Sequence, residues 1–302
     1  MTSTTTTAGP AARRRSSRLS AYLHAHPTLR LGALLSAPLT WLIVLYLGSL
    51  TVMFISAFWT VNAFTNEIEK RFSTSNFQQL ITTPVYRTVA IRTVTIAATV
   101  TVIDAVLALP LAFFIAKVVH SRRARAALVV AVSMPLWAGY LVKGYAWRVM
   151  FDHNGVIDWA LRPFGLSGPG LGIPATTIAL AYIWLPFMIL PIYAALDRLP
   201  DSLLDAAADL GAPAWRTFRT VVMPLIWPGV VAGSIFTFSL SLGDYIMVRI
   251  VGGKAQMFAS IVYDNIGVAG NLPFAAAAAL FPVIVVVLYL VVVRRTGALD
   301  NL

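Results

Sequence analysis

The sequence predicts an all-α integral membrane protein with six transmembrane helices, and three observations predict it. Hydrophobic residues make up 58% of the 302, charged residues only 12%, and the mean hydropathy is +0.78. Six apolar stretches are each about as long as a bilayer is thick, and Lys and Arg gather at their ends. A soluble domain carries roughly 25% charged residues, and one with so little charge would expose apolar patches far beyond what monomers tolerate. The formal net charge of +11 would suit a nucleic-acid binder, but the basic residues do not form one soluble face. The partner expected from composition is membrane lipid, with no nucleic acid. The absence of cysteine removes disulfides, thiolate metal sites and cysteine nucleophiles together.

Residues 1–30 begin as a Thr/Ser/Ala-rich stretch with Arg13, Arg14, Arg15 and Arg18, too poor in apolar surface to fold. A disordered, basic, cytoplasmic tail is expected there. A signal peptide is the competing interpretation, but the apolar run 31–58 is much longer than an h-region of roughly 7–15 residues and should remain as an anchor. A hydrocarbon core about 30 Å thick needs about 20 helical residues. On that scale the spans fall near 31–58, 88–116, 126–147, 175–195, 226–248 and 274–293, with a short tail at 296–302. The second span contains Arg92 and Asp104, each costly at the bilayer centre. The fifth starts beside Pro224 and Pro228 and contains Gly229 and Gly233, which membrane helices tolerate. Placing both termini in the cytoplasm puts Arg30, the basic cluster at 117–125, Arg198, Arg216, Arg219, Arg294 and Arg295 on the inner side, as the positive-inside rule favours. No internal repeat is evident, which disfavours the repeat-built secondary transporters.

The connection 199–224 reads as a cytoplasmic helix-turn-helix. Asp201 or Ser202 can cap its first helix; Leu203, Leu204, Ala207 and Leu210 share a face; Gly211 and Pro213 stop it. A second helical segment, 214–222, leads through Met223 and Pro224 into the fifth span. Asp201, Asp205 and Asp209 recur every four residues, where like charges repel by a few tenths of a kcal/mol per pair. A partner could offset that repulsion; a solvated face at the positive end of the helix dipole is the alternative.

Asp205-Ala206-Ala207, three residues, Gly211, nine residues and Val221-Val222-Met223-Pro224 resemble the signature loop of binding-protein-dependent ABC importer permeases. The family pattern is Glu-Ala-Ala, three residues, Gly, nine residues, Ile-x-Leu-Pro. Asp205, Val221 and Met223 depart from it while keeping charge or apolarity. The resemblance implies a type I ABC importer permease fold with a cytoplasmic coupling helix, in which Asp205, Ala206, Ala207, Gly211 and Pro224 meet the ATPase. Further stretches are similar to the first permease subunit of spermidine/putrescine systems. These are Phe72-Ser73-Thr74-Ser75-Asn76-Phe77 with Pro84-Val85-Tyr86, residues 140–147 with Asn154-Gly155, Ser241-Leu242-Gly243-Asp244-Tyr245, and Gly252-Gly253. The resemblance thus implies a multi-pass protein of the bacterial inner membrane that translocates a small solute, a polyamine if the likeness extends to substrate, by alternating access. Its implied partners are a cytosolic ABC ATPase dimer holding ATP and Mg, a second permease subunit in a heterodimer, and an extracytoplasmic solute-binding protein. Another small organic solute, or an ATP-independent secondary transporter, are the alternatives.

The chain itself should bind no cofactor and be no enzyme. Gly139 and Gly144 have the spacing of a nucleotide-binding loop, but Tyr145 and Ala146 stand where Lys and Ser/Thr are required. Its histidines, His24, His26, His120 and His153, are scattered, and neither His-Glu-x-x-His nor Gly-x-Ser-x-Gly occurs. A polyamine would need carboxylates and aromatic faces along its path. Asp104, an intramembrane carboxylate, is one candidate; a structural hydrogen-bonding role is its alternative. Asp244 and Tyr245 stand near the end of the fifth span, where loop capping is the alternative. Tyr140, Tyr145 and Trp147 could line the same mouth or form an interfacial aromatic belt. Lys143 and Arg148 would repel a polyamine unless they anchor the loop, or else they indicate an anionic solute.

Overall fold

The computed structural model describes residues 35, 36, 38–62 and 64–295, so the expected tails at 1–30 and 296–302 lie outside the described residues. Two compact units divide the chain after Met53. The described part of the first is most of helix α1 (Pro38–Ser56). Its run from Trp41 to Leu47 is apolar on every side, as a span facing lipid requires.

The second unit opens with a two-stranded antiparallel hairpin, β1 (Thr60–Val61) and β2 (Ile68–Glu69), followed by α2 (Ser75–Thr82). The remaining helices are α3 (Pro84–Val118), α4 (Arg122–Trp137), α5 (Tyr140–Phe151), α6 (Val156–Leu161), α7 (Ile173–Asp197), α8 (Asp201–Asp209), α9 (Ala214–Gly243), α10 (Ile246–Val251), α11 (Phe258–Gly267) and α12 (Leu272–Arg294). Proline opens several of them, where its missing N–H costs nothing: Pro84, Pro174 and Pro273 lie in first turns. Ser121 and Asn271 cap α4 and α12 by accepting from the Ala124 and Phe274 N–H groups.

The core is the trio α3, α7 and α9, each packed on the other two. Small residues set the spacing, as expected where lipid tails remove most of the hydrophobic drive for helix association. Gly229 and Gly233 of α9 lie directly on α7. A Cβ at Gly229 would stand 2.8 Å from the Pro191 carbonyl oxygen, and one at Gly233 would stand 3.0 Å from the Met188 Cα. On α3, Ala97, Ala108 and Ala112 are fully buried.

Among the described residues, α1, α3, α7, α9 and α12 are long and apolar enough to cross a bilayer; α4 and α5 reach that length only as a pair bent by 90°. The expected third span, 126–147, is therefore broken at Ala138 and Gly139, both extended in backbone. The expected fifth span, 226–248, ends at Gly243, because Asp244 turns extended and Ile246, Met247 and Val248 belong to α10. Those residues are apolar because α10 is buried against α5 and α7. Hydropathy registers an apolar solvent without distinguishing lipid from protein.

Candidate functional site

Two breaks in helices create the site. Where α9 stops, Asp244 leaves the helix with one carboxylate oxygen accepting the Met247 N–H at 2.9 Å, which starts α10, and the other accepting the Tyr140 hydroxyl. Tyr140 is the first residue of α5, set there by the break at 138–139. Its ring lies 6.1 Å from that of Trp184 on α7. Tyr140, Trp184, Ser239, Leu240, Gly243, Asp244 and Ile246 surround a cavity of about 280 Å³. The carboxylate at its wall is buried, with both oxygens held in fixed directions. Such a group holds its acceptor oxygens in place without needing to reorganise.

The nearby cations are anchored to backbone carbonyls, and the Lys143 ammonium also lies 5.6 Å from the centre of the Tyr140 ring at the cavity wall. Lys143 reaches back across the bend and donates to the Pro135 carbonyl at 2.8 Å, one of the last acceptors of α4 left without an intrahelical donor. Arg148 donates to the Ile250 carbonyl at 2.6 Å and fastens α5 to α10. Gly144 lies in the same seam, where a Cβ would stand 2.7 Å from the Ile250 Cδ1. Both bases thus make the backbone bonds that loop anchoring expects.

The other expected path residues are not gathered here. Trp147 stacks on Phe151 at 5.0 Å and meets Tyr182 edge-on, within the packed seam. Tyr145 is exposed and outside the cavity lining. Tyr245 stacks on Tyr263 of α11 at 4.6 Å, beside the ion pair of Arg249 with Asp264. Asp104 stands apart on α3, fully buried, and neither carboxyl oxygen has a hydrogen-bond partner among the described residues. A buried carboxyl whose oxygens lack hydrogen-bond partners costs about 1–3 kcal/mol, so its position is unexplained by stability. Trp184, like Ser239, Leu240 and Ile246, is a cavity residue that the sequence did not single out: one aromatic in an apolar helix has no local signal.

At the end of the molecule that carries the basic turns, α8 closes in a Schellman motif. The Gly211 N–H bonds the Ala208 carbonyl at 2.8 Å and the Ala212 N–H bonds that of Ala207 at 3.0 Å. Gly211 has φ +73° and nothing near its missing Cβ, so the glycine is required by backbone conformation and not by space. Neither Asp201 nor Ser202 caps α8. Asp201 sits in the first turn and pairs with Lys117 at 2.6 Å, an interaction that holds its carboxyl below the usual carboxylate range. Of the expected apolar face, Leu204 packs inward and Ala207 is half-buried, whereas Leu203 is exposed and Leu210 is 87% exposed. Asp205, Ala206, Pro224 and Trp215 are exposed around them.

Residues 108–297 match the family described as binding-protein-dependent transport system inner membrane component, and they include both α8 and the cavity at Asp244. The chain belongs to this family. The permease is 41% identical over 303 residues to the inner membrane ABC transporter permease protein YdcU of Escherichia coli, covering 94% of this chain and 95% of that one. It is 30% identical over 235 residues to the spermidine/putrescine transport system permease protein PotB of Escherichia coli, covering 76% and 84%. Among solved structures it resembles a chain of the bacterial alginate ABC transporter in complex with an alginate pentasaccharide-bound periplasmic protein. The TM-score there is 0.67 at 16% identity, over 93% of this permease and 97% of that chain. That likeness carries the fold: the permease is an α-helical membrane protein with the architecture of ABC importer permeases.

Proposed function

We propose that this permease is the transmembrane subunit of an ATP-driven importer for a small organic cation of the polyamine class. The observation that carries the solute is the cavity where Asp244, fixed by Tyr140 and by the start of α10, faces Trp184. A carboxylate pairs an ammonium group by charge-assisted hydrogen bonds worth about 1.5–3 kcal/mol, and each aromatic face adds about 0.5–2 kcal/mol of cation–π attraction. A cavity of about 280 Å³ is small among ligand pockets, which run roughly 300–1,000 Å³, and suits a slender molecule or one end of it. PotB, a relative at 30% identity, is named for spermidine and putrescine transport.

In this function the basic end, with α8, faces the cytoplasm, both termini lie there, and the Tyr140–Asp244 joint faces the solute's route from outside. The exposed Leu203, Leu210 and Trp215, with Asp205 and Ala206, form the surface that enters an ATPase groove. ATP and Mg belong to that ATPase dimer; a second permease subunit completes the path, and an extracytoplasmic binding protein delivers the solute. Closure of the ATPases displaces α8, and α9 continues without interruption from the end of the α8 turn to Gly243, next to the cavity.

Uptake in proteoliposomes tests this, using the complex the chain forms with its ATPase, second permease and binding protein. Expected are ATP-dependent accumulation of spermidine or putrescine and its collapse in Gly211→Arg, which breaks the left-handed turn that ends α8. An intact complex that hydrolyses ATP without moving either amine overturns the solute; absence of any associated ATPase overturns the function.

A further inference from the structure

Two cations tie the α3–α4 turn to the α7–α8 turn. Lys117, near the end of α3, has a side chain only 9% exposed, and its ammonium donates both to the Leu199 carbonyl and to the Asp201 carboxylate, each at 2.6 Å. Asp201 is the first residue of α8, and Leu199 is buried among Ala112 and Ala116 of α3, Leu196 of α7 and Ile226 of α9. Arg125, in the first turn of α4, reinforces the junction by donating to Asp197 at 3.0 Å and to the Val119 carbonyl at 3.1 Å. The Asp201 side chain is 79% exposed, and a pair with so exposed a carboxylate contributes little to folding.

The other end of α3 is tied as well. The Thr93 hydroxyl, fully buried, accepts the N–H of Phe258, the first residue of α11, at 2.8 Å. Thr93 and Lys117 stand about 36 Å apart along one helix at 1.5 Å per residue. A single helix thus holds α8 at one face and α11 at the other, with Asp104 between them.

We propose that Lys117 is a positioning residue for transport, making α8 and α3 move as one body so that displacement of α8 reaches the Phe258 end of α11. This rests on α8 being the element an ATPase moves. The two bonds of Lys117 have different purposes. The one to Leu199 fixes the turn to the core, and the one to Asp201 fixes the first turn of α8 to that anchored point. With the ammonium gone, α8 can pivot on residues 198–200 while α3 stays in place.

The chain contains no cysteine, so a spin-label pair can be introduced directly, at Ser202→Cys on α8 and Thr88→Cys at the far end of α3, both exposed. In the complete complex, the distance between labels should be narrow and should not change when a non-hydrolysable ATP analogue binds. Lys117→Met, which keeps the buried stem, should broaden the distribution and make it nucleotide-dependent, and Lys117→Arg should restore it. ATP hydrolysed per spermidine imported should rise about tenfold in Lys117→Met, within the usual range of coupling between sites. It should rise less in Asp201→Ala, where only the bond to Leu199 survives. A Lys117→Met complex with the wild-type distance and stoichiometry overturns the proposal. Should that variant not assemble, Asp201→Ala, which leaves no acceptor at that position, decides: wild-type values in it overturn the proposal equally. A wild-type complex that recruits no ATPase overturns the transport function itself, and does so before any substitution is made.

Discussion

Asp244→Asn separates charge from geometry at the cavity. An asparagine oxygen can still accept the Met247 N–H, now accepted at 2.9 Å, so α10 keeps its start, and the residue keeps its shape beside Tyr140. What disappears is the capacity to carry one negative charge at a site 7% exposed, where no solvent replaces it. If an ammonium group passes this carboxylate, the loss is that of a charged hydrogen bond, about 1.5–3 kcal/mol, equivalent to a factor of about 10–100. The assay is solute transfer at saturating, solute-loaded binding protein, with ATP hydrolysis measured in parallel. Transfer of spermidine should fall by about 10–100-fold, while ATP hydrolysis, governed by α8 at the other end of α9, stays near the wild-type rate. Asp244→Ala removes the cap as well and should add a loss of stability of about 0.5–2 kcal/mol. Wild-type transfer by Asp244→Asn, with Asp244→Ala merely less stable, would refute the reasoning and leave Asp244 as the cap of α10.

Three further outcomes are expected. Gly229→Ala puts a methyl 2.8 Å from the Pro191 oxygen and 2.9 Å from the Ala195 Cβ, against 3.4 Å for ordinary contact, so α7 and α9 must part by about 0.6 Å. It should destabilise by about 1–3 kcal/mol and lower the thermal midpoint by several degrees, whereas Gly48→Ala, with nothing within 4 Å, should not; equal midpoints refute the close crossing. Asp104→Leu removes a buried carboxyl that has no hydrogen-bond partner among the described residues, so the unfolding midpoint should hold or rise; a lower midpoint would mean that the carboxyl has a stabilising partner. Asp158 accepts from the Gly168 N–H and the Arg162 guanidinium, which hold its carboxyl below the ordinary value of 3.8. A depressed folded-state value gives stability that is full above the unfolded value and lost as pH falls through the folded one. Protection of the Gly168 amide from exchange should therefore persist from neutrality down to about pH 5 and vanish only in stronger acid; loss of protection near neutrality sinks this account.

What was legible in the sequence was what local chemistry determines. Gly211 stops α8 because a Schellman turn needs positive φ, and the turn is present with its two characteristic bonds. Tyr140 and Asp244 could be named separately, but their meeting could not, since 104 positions lie between them. The break at 138–139 has no counterpart in the hydropathy, because α4 and α5 together have the length and apolarity of one span. Lys117 was visible only as one of several bases in a turn; its partners lie 82 and 84 positions away. Trp184 was invisible for a different reason, being one apolar residue in a helix apolar throughout. Asp104, Tyr145, Trp147 and Tyr245 were chosen for chemical type, and type alone does not say which side of a packed helix a residue takes.

The two helix breaks have a joint consequence for how a solute could pass. α3, α7 and α9 are bound along their length by small residues and close packing, with Gly229 set directly against the Pro191 backbone. The short helices beyond the breaks are bound to each other as well as to α7, by Arg148 on the Ile250 carbonyl and by Gly144 against Ile250. Each break is extended backbone, free of the helical ladder that would resist bending. The Tyr140–Asp244 bond spans the junction, joining the first residue of α5 to the residue that ends α9. A cation that competes for the Asp244 carboxylate therefore competes with the bond that links the two breaks. Tyr140→Phe removes that competition without removing the charge. It should loosen α5, seen as faster amide exchange at its first turn, and should impair transfer less than Asp244→Asn does. Impairment equal to that of Asp244→Asn would mean instead that the hydroxyl itself contacts the solute.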